Sequence, residues 1–138
     1  MASGRQKELL RELGADEFID YTKTNADEII EDIDLVIDAV GGPGTERFLK
    51  TLKSGGSLFP IFPLGFSGHE EAERLGVTVS ATQVRSNGRQ LSELASLLNQ
   101  GIIHVVIDST FSLSQARQSH ERAAKGHIQG KIVLTVDQ

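Results

Sequence analysis

The sequence feature that most limits the possible folds is an apolar segment, Asp34–Val40 (DLVIDAV), that runs directly into the glycine-rich turn Gly41–Gly44. From Leu35 onward every residue of the segment except Asp38 is apolar, which is typical of a strand buried on both faces of a parallel sheet. Parallel neighbours need a crossover connection, which is usually helical. The segment therefore predicts β–α–β units and an α/β fold.

The rest of the chain alternates between strand-like and helix-like periodicity, with glycines between the segments. The predicted strands are Phe18–Tyr21, Asp34–Val40, Ser57–Phe62, Val77–Val84, Ile102–Ile107 and Lys131–Val136. The predicted helices are Gln6–Leu13, a short one through Ile29 and Ile30, one from Gly44 to about Leu52, then His69–Leu75, Leu91–Asn99 and Ser112–Lys125. We expect a mostly parallel sheet with helices on both faces.

Composition excludes several classes of function. The net charge of −5 argues against nucleic-acid and membrane-surface binding, which need basic patches. The absence of Cys excludes disulfides and thiol catalysis, and with four scattered His residues we expect no zinc. The sequence has no apolar run of membrane-spanning length and no visible signal peptide, so we expect a cytoplasmic protein.

Four stretches, in this order and at this spacing, resemble the medium-chain dehydrogenase/reductase superfamily. They are LGADEFIDY (Leu13–Tyr21), DLVIDAVGG (Asp34–Gly42), LKSGGSLFPI (Leu52–Ile61) and HIQGKIVLTV (His127–Val136), the last preceded by the helix start Phe111–Leu113. The most similar branch is that of the zinc-independent NADPH quinone oxidoreductases. The resemblance implies that the chain is the C-terminal, nucleotide-binding part of such a protein, often described as a zinc-binding dehydrogenase domain.

The resemblance also implies that part of the Rossmann-like domain is missing. The segment Ser3–Tyr21 resembles the helix and strand that follow the second strand of such a domain, so the first strand and its phosphate-binding turn have no counterpart here. We therefore expect residues 1–138 to be a partial nucleotide-binding domain that binds NADPH weakly or undetectably and is inactive alone. The strand order of the family would leave an open edge on Asp34–Val40, and such edges pair with other chains, so we expect a homodimer, or a rearranged or swapped sheet. Relatives dimerise through the strand that corresponds to Val77–Val84, which offers a second route to a dimer.

Three residues are candidates for the phosphate of NADP(H). No acidic residue stands at Ala2–Arg5, where an NAD-specific relative has one for the ribose hydroxyl. Ser3 offers a hydroxyl, Arg5 can pair with a phosphate, and related reductases place a Tyr where Tyr21 stands. The alternative assigns a helix N-cap to Ser3, a solvated side chain to Arg5 and an ordinary strand position to Tyr21. An NAD-specific relative would be favoured if Arg5 and Tyr21 point away from each other.

Three further candidates come from the turns of the resemblance. Gly41 and Gly42 would let the backbone approach the adenosine part of the cofactor, although a tight strand-to-helix turn explains both glycines equally well. Lys131 would lie near the cofactor, although it can simply begin the last strand. Asp38 is expected to border the turn or to bind a buried backbone group.

No side chain is predicted to be catalytic, because in hydride transfer the cofactor supplies the chemistry. The resemblance implies a quinone or an enone as the substrate of the whole protein. The alternative function is a non-enzymatic interaction module, or a pseudo-enzyme remnant, that has lost its cofactor.

Overall fold

The structure, a computed structural model, describes residues 1–81 and 83–136 and divides into two compact units, residues 1–84 and 85–138. The first unit contains helices α1 (Lys7–Glu12) and α2 (His69–Leu75) and strands β1 (Ile33–Asp38), β2 (Leu52–Pro60) and β3 (Thr78–Val79). Short 3-10 helices span Gly4–Gln6, Ala26–Glu28 and Thr45–Thr51. The second unit contains α3 (Gly88–Asn99), β4 (Ile107–Ser112), α4 (Ala116–Ala124) and β5 (Lys131–Thr135), with a 3-10 turn at Leu113–Gln115 before α4.

The strands confirm the predicted α/β class, because every strand pairing in the described residues is parallel. In the first unit the order is β1-β2-β3, with Val36 opposite Leu58. In the second unit β4 pairs with β5, with Thr110 opposite Val133. The strands thus form two small sheets, one in each unit, each with helical connections between its parallel strands.

The core of the first unit forms where β2 packs against the Thr45–Thr51 helix and α2. Its buried members are Phe48, Leu49, Leu52, Leu58, Ala72 and Val77. Leu49 and Leu58 are fully buried, and burial of a leucine side chain contributes about 1.5–3 kcal/mol. The buried Thr51 hydroxyl donates to the Phe48 carbonyl, and the buried Thr45 hydroxyl lies within hydrogen-bond distance of both the Gly42 carbonyl and the Asp38 carboxylate. This core holds the carboxyl ends of β1 and β2 in place.

One edge of β1 is open, as the sequence analysis expects. Within the described residues β1 pairs with β2 alone. Leu35 and Ile37 project from it and are 52% and 62% exposed. A cavity of about 330 Å³ lies along this strand, and Met1 and Ile19 line it together with the β1 residues. An apolar strand with a free edge is a surface suited to pairing with another strand.

A partly buried ion pair organises the second unit. Asp108 in β4 accepts hydrogen bonds from the guanidinium of Arg122 in α4 and from the backbone N–H of Gln129. Arg122 also donates to the carbonyl of Gly126. The predicted cap at Ser112 is confirmed as a capping box with Gln115. These bonds fix the turn that leads from α4 into β5.

The bounds of two predicted strands are wrong at the edges of the first sheet. Phe18–Tyr21 is reduced to one parallel bridge between Ala2 and Asp20, because the Asp20 carboxylate accepts from the Thr22 N–H and turns the chain. Val77–Val84 is reduced to β3, although Thr82 lies outside the described residues. The Ser80 N–H reaches the Leu58 carbonyl, but the next donor in the ladder would be residue 60, which is proline.

Three more predictions need correction. The strand predicted at Ile102–Ile107 is wrong, since the strand is β4, which begins at Ile107. The N–H groups of Ile102 and Ile103 instead bond to the Leu97 carbonyl at the end of α3. The helix predicted after Gly44 is a 3-10 helix, in which threonine hydroxyls bond to carbonyls three residues earlier. The helix predicted through Ile29 and Ile30 is a 3-10 helix at Ala26–Glu28 that contains neither residue. The remaining predicted helices exist with bounds shifted by a few residues at most.

Within the described residues no helix has both the length and the apolar character needed to cross a membrane.

Candidate functional site

A pocket of about 360 Å³ opens beyond the carboxyl end of β1, in the first unit. Its walls include Tyr21, Asp38, Gly41, Gly44, Thr45 and Arg47. Ligands of open α/β sheets bind outside the carboxyl ends of the strands. Its volume is at the lower end of the range of about 300–1,000 Å³ for small-molecule pockets. The pocket can therefore hold part of a dinucleotide, such as a nucleoside with its phosphate.

Asp38 organises the turn that forms one wall of the pocket. Its Oδ1 accepts from the N–H groups of Val40 and Gly41, both at 3.0 Å, and its Oδ2 accepts from the Thr45 hydroxyl at 2.7 Å. Burial raises the pKa of Asp38, but the hydrogen bonds from Gly41, Thr45 and Val40 outweigh burial and hold the pKa below its usual value. The carboxylate therefore stays ionised and fixes the loop, which agrees with its expected role as a partner of backbone groups.

The two predicted glycines of this turn have different surroundings. Gly41 lines the pocket at φ +66°, and a Cβ at this position would lie 2.2 Å from the Phe62 carbonyl oxygen. Gly42 has φ +82° and donates its N–H to the same oxygen at 3.3 Å, but a Cβ there would have no atom within 4 Å. Gly41 thus permits a close approach of the chain's own Phe62 backbone, so a tight turn is enough to explain this glycine without a cofactor.

Glu46 joins this turn to the loop after β2. Its Oε1 accepts from the N–H and the hydroxyl of Ser67 at 2.9 and 2.8 Å, and its Oε2 accepts from the Gly44 N–H at 3.0 Å. Chiefly because of the Ser67 N–H, the pKa of Glu46 is lowered from 4.5 to about 2. These three hydrogen bonds of Glu46 connect the glycine-rich turn to Ser67 and hold the rim of the pocket in place.

The predicted phosphate-binding residues do not all converge. Tyr21 is 54% exposed and lines the pocket. Ser3 and Arg5, which are both described, do not line it. Ser3 occupies the N-cap position of the first 3-10 helix, where its carbonyl accepts from the Gln6 N–H, and Arg5 is exposed. The Ser3 side chain makes no cap hydrogen bond, and the exposed Arg5 fits the alternative of a solvated side chain. Cofactor contacts of both residues stay predictions.

Two charged residues at this end of the sheet, Arg47 and Asp20, were not among the predicted candidates. Arg47 lines the pocket, and its guanidinium carbon lies 4.7 Å from the centre of the Phe48 ring. Asp20 lies against the backbone of Gly4, because a Cβ at Gly4 would be 2.6 Å from its Oδ2. The hydrogen bond from the Thr22 hydroxyl lowers the pKa of Asp20. A basic residue shortly after a glycine-rich turn was the available signal for Arg47.

Lys131 belongs to the second unit, where it begins β5. Its N–H donates to the Val106 carbonyl at 2.9 Å and its side chain is exposed. The preceding Gly130 has φ +92°, and a Cβ there would lie 2.0 Å from the Val106 oxygen. These features explain the Gly-Lys pair as the start of the last strand, and a cofactor contact of Lys131 stays a prediction.

A search for metal sites adds no further candidate. In residues 1–81 and 83–136, no group of three or more His, Cys, Asp or Glu side chains is arranged to hold a metal ion.

The comparison with family models gives a match over most of the chain. Residues 13–134 match the family described as "Zinc-binding dehydrogenase". This range contains all four stretches on which the resemblance was based, apart from the last two residues of the final one.

Individual proteins agree with the family match. The chain is 31% identical to the mitochondrial NAD(P)H oxidoreductase RTN4IP1 of Mus musculus, over 94% of this chain and 39% of that protein. It is 32% identical to the chloroplastic NADPH-dependent alkenal/one oxidoreductase of Arabidopsis thaliana, over 96% of this chain and 32% of that protein. Among solved structures, the quinone oxidoreductase from Coxiella burnetii superposes with a TM-score of 0.83 at 29% identity, over 98% of this chain and 43% of that chain. The chain therefore spans less than half the length of each of these proteins.

Proposed function

The chain belongs to the zinc-binding dehydrogenase family, and we propose that residues 1–138 form part of the nucleotide-binding domain of an NADPH-dependent oxidoreductase. One observation carries the proposal. Tyr21 and Gly41, which were chosen from the sequence as cofactor residues, share one pocket beyond the carboxyl end of β1. That is the place where an open parallel sheet binds nucleotides.

The proposed reaction of the whole protein is hydride transfer to a quinone or an enone. The names of the relatives support both substrate classes, since one is an alkenal/one oxidoreductase and another a quinone oxidoreductase. The nicotinamide supplies the hydride when it is bound, and the protein binds and orients the reactants. We propose that this chain contributes nucleotide binding and no catalytic side chain.

The residues of this chain have distinct proposed roles. Tyr21 and the turn Gly41–Gly42 hold the adenosine part of NADP(H), and the Asp38 carboxylate keeps that turn in place. Ser3, Arg5 and Lys131 were proposed from the sequence as further contacts. The geometry of the pocket supports Tyr21 and Gly41 more strongly than these three, because Ser3 and Arg5 lie outside its described walls and Lys131 lies in the other unit.

We propose that the chain is inactive by itself. Its buried hydrophobic residues all lie in the first unit, and residues 85–136 contain none in the described structure. Leu35 and Ile37, which share one face of β1, stay exposed. We propose that a longer protein containing this chain has further surfaces that cover these exposed residues. An apolar edge of this kind also supports the alternative of an interaction module.

Four further features of the protein, namely its oligomeric state, metal content, partners and location, are also proposed. A homodimer forms through the open edge of β1 or through the edge at β3, since each of these strands pairs with β2 alone in the described residues. No zinc is needed, since the chain has no Cys and four His. No nucleic acid or membrane is bound, because the net charge is −5. The protein is cytoplasmic, although two relatives carry mitochondrial and chloroplastic in their names.

A titration of this chain with NADPH, followed by two-dimensional amide NMR, tests the proposal. We expect saturable shifts at Tyr21, Gly41 and Gly42 with millimolar affinity. The same titration with NADPH replaced by riboflavin is the control for nonspecific binding of a planar ring. If saturable shifts fall elsewhere in the chain, the proposed cofactor site is wrong.

A further inference from the structure

The pocket beside Tyr21 needs a cation if it is to bind a phosphorylated nucleotide. Arg5, the cation expected from the sequence, does not line the pocket in the described structure. Without Arg5 on its wall, the pocket needs another basic side chain if it is to select NADP(H) over NAD(H). The question is therefore which cation, if any, faces this pocket.

The surroundings of Arg5 are unfavourable for a phosphate. The Asp20 carboxylate lies against Gly4, whose added Cβ would be 2.6 Å from Oδ2. The hydrogen bond from the Thr22 hydroxyl, with smaller contributions from Lys23 and the Gly4 backbone, lowers the pKa of Asp20, so this group is anionic at neutral pH. A phosphate bound beside Gly4 would thus face a carboxylate at short range, which costs electrostatic free energy.

Arg47 has the position that Arg5 lacks. It lines the same pocket as Tyr21, and its guanidinium lies 4.7 Å over the Phe48 ring. Stacking of this kind limits the conformations of the side chain and leaves the donors at the edge of the guanidinium for an anion. A guanidinium presents two parallel N–H groups that match the geometry of a phosphate. No carboxylate lies within ion-pair distance of Arg47 in the described residues.

Asp38 lies in the same pocket, and it does not take the place of the phosphate. Its oxygens already accept from the N–H groups of Val40 and Gly41 and from the Thr45 hydroxyl. The charge of Arg47 acts on Asp38 in the direction that keeps it ionised. Arg47 therefore also screens an incoming phosphate from this carboxylate.

We propose that Arg47, together with the Tyr21 hydroxyl, binds the 2′-phosphate of the nucleotide in this pocket and makes the site select NADP(H) over NAD(H). This inference rests on the proposed function of the chain as a cofactor-binding domain. It assigns the selective charge to the segment after the glycine-rich turn and not to the segment around Ser3 and Arg5.

The test compares two small probes that differ by the 2′-phosphate: adenosine 2′,5′-bisphosphate and adenosine 5′-monophosphate. Tyr21 is the single tyrosine of the chain, so its ring signals in an NMR titration report directly on this pocket. We expect the bisphosphate to bind about tenfold more tightly than the monophosphate, which is the effect of one charge-assisted hydrogen-bonded contact. Arg47→Gln removes this preference and Arg47→Lys keeps part of it, whereas Arg89→Gln, at an exposed arginine of the second unit, leaves it unchanged.

The outcomes separate the inference from the proposed function. A preference that disappears in Arg5→Gln and survives in Arg47→Gln overturns the role of Arg47, as does equal binding of both probes by the unaltered chain. If neither probe shifts the Tyr21 signals, the cofactor site itself is wrong. Arg47→Gln also removes the contact with Phe48, so its amide spectrum is compared with that of the unaltered chain. If that variant does not fold, Arg47→Lys and the salt dependence of bisphosphate binding decide, because a phosphate contact weakens steeply as salt rises.

Discussion

Replacing Gly41 by alanine tests whether the pocket wall depends on the close approach between the two turns of the first unit. Gly41 and Gly42 are adjacent, and both have positive φ, +66° and +82°. A Cβ at Gly41 would lie 2.2 Å from the Phe62 carbonyl oxygen and 2.9 Å from the Phe62 Cβ, whereas a Cβ at Gly42 would meet nothing within 4 Å. Gly42→Ala is therefore a matched control for the backbone conformation.

The expected costs follow from these distances. An alanine in the left-handed region costs about 1–2 kcal/mol, and both variants pay this penalty. At Gly41 the methyl group also overlaps a backbone atom, and relief of such overpacking costs about 1–3 kcal/mol more. The Phe62 carbonyl cannot move away without weakening its 3.3 Å hydrogen bond from the Gly42 N–H, which adds about 1 kcal/mol. Gly41→Ala should thus destabilise the chain by about 2–4 kcal/mol more than Gly42→Ala.

Urea unfolding followed by far-ultraviolet circular dichroism and by Tyr21 fluorescence measures both free energies of unfolding. The fluorescence reports on the first unit, because Tyr21 is the single tyrosine and the chain has no tryptophan. Gly44→Ala, with φ +95° and open space around its Cβ, should behave like Gly42→Ala. Equal destabilisation by the Gly41 and Gly42 variants would refute the reasoning, because it would mean that the two turns do not touch.

Three other predictions concern the frame around the site. The pKa of Glu46 is about 2 in the folded chain against an ordinary value of 4.5, so the stability it contributes is complete above pH 4.5 and is lost as the pH falls toward 2. Glu46→Gln should flatten this part of a plot of unfolding free energy against pH. An unchanged slope would count against the proposed role of the Glu46 hydrogen bonds. Leu49→Ala should lower the free energy of unfolding in urea by about 2–5 kcal/mol, because Leu49 is fully buried. The control Leu64→Ala, at a residue 67% exposed, should lower it by under about 0.5 kcal/mol. Similar costs for the two variants would contradict the core. Gly130→Ala places a Cβ 2.0 Å from the Val106 oxygen and should increase amide hydrogen exchange in β5, and unchanged exchange there would show that this turn can adjust.

The sequence predicted the fold class because the signals for it are local. The apolar run of β1 and the glycine-bounded helices α2 and α3 appear close to their predicted positions. The errors lie where a distant residue decides. β3 ends early because Pro60, on the neighbouring strand, has no N–H to continue the ladder. The strand expected at Ile102–Ile107 begins at its last residue, because the end of α3 uses the preceding N–H groups and pairing with β5 sets the rest.

The site was predictable to the extent that it follows chain order. Tyr21 and Gly41 each follow an extended segment of the sheet, and that position brings them to one pocket. Arg47 could not be assigned in this way, because its direction depends on the 3-10 conformation of the Thr45–Thr51 helix and on Phe48 beneath it. The unfavourable surroundings of Arg5 for a phosphate also come from a tertiary contact, since the Asp20 carboxylate reaches the Gly4 backbone across the Ala2–Asp20 bridge.

Oxidation of NADPH in the presence of quinone and enone acceptors tests the central claim most directly, with this chain measured beside a longer protein that contains it. The claim is that residues 1–138 bind the nucleotide weakly through the pocket at Tyr21 and Gly41 but cannot turn it over. The account predicts hydride transfer by the longer protein and none above background by this chain, with a micromolar NADPH affinity only in the longer protein. Turnover by the isolated chain at the rate of an ordinary reductase, or micromolar binding of NADPH to it, would contradict the account.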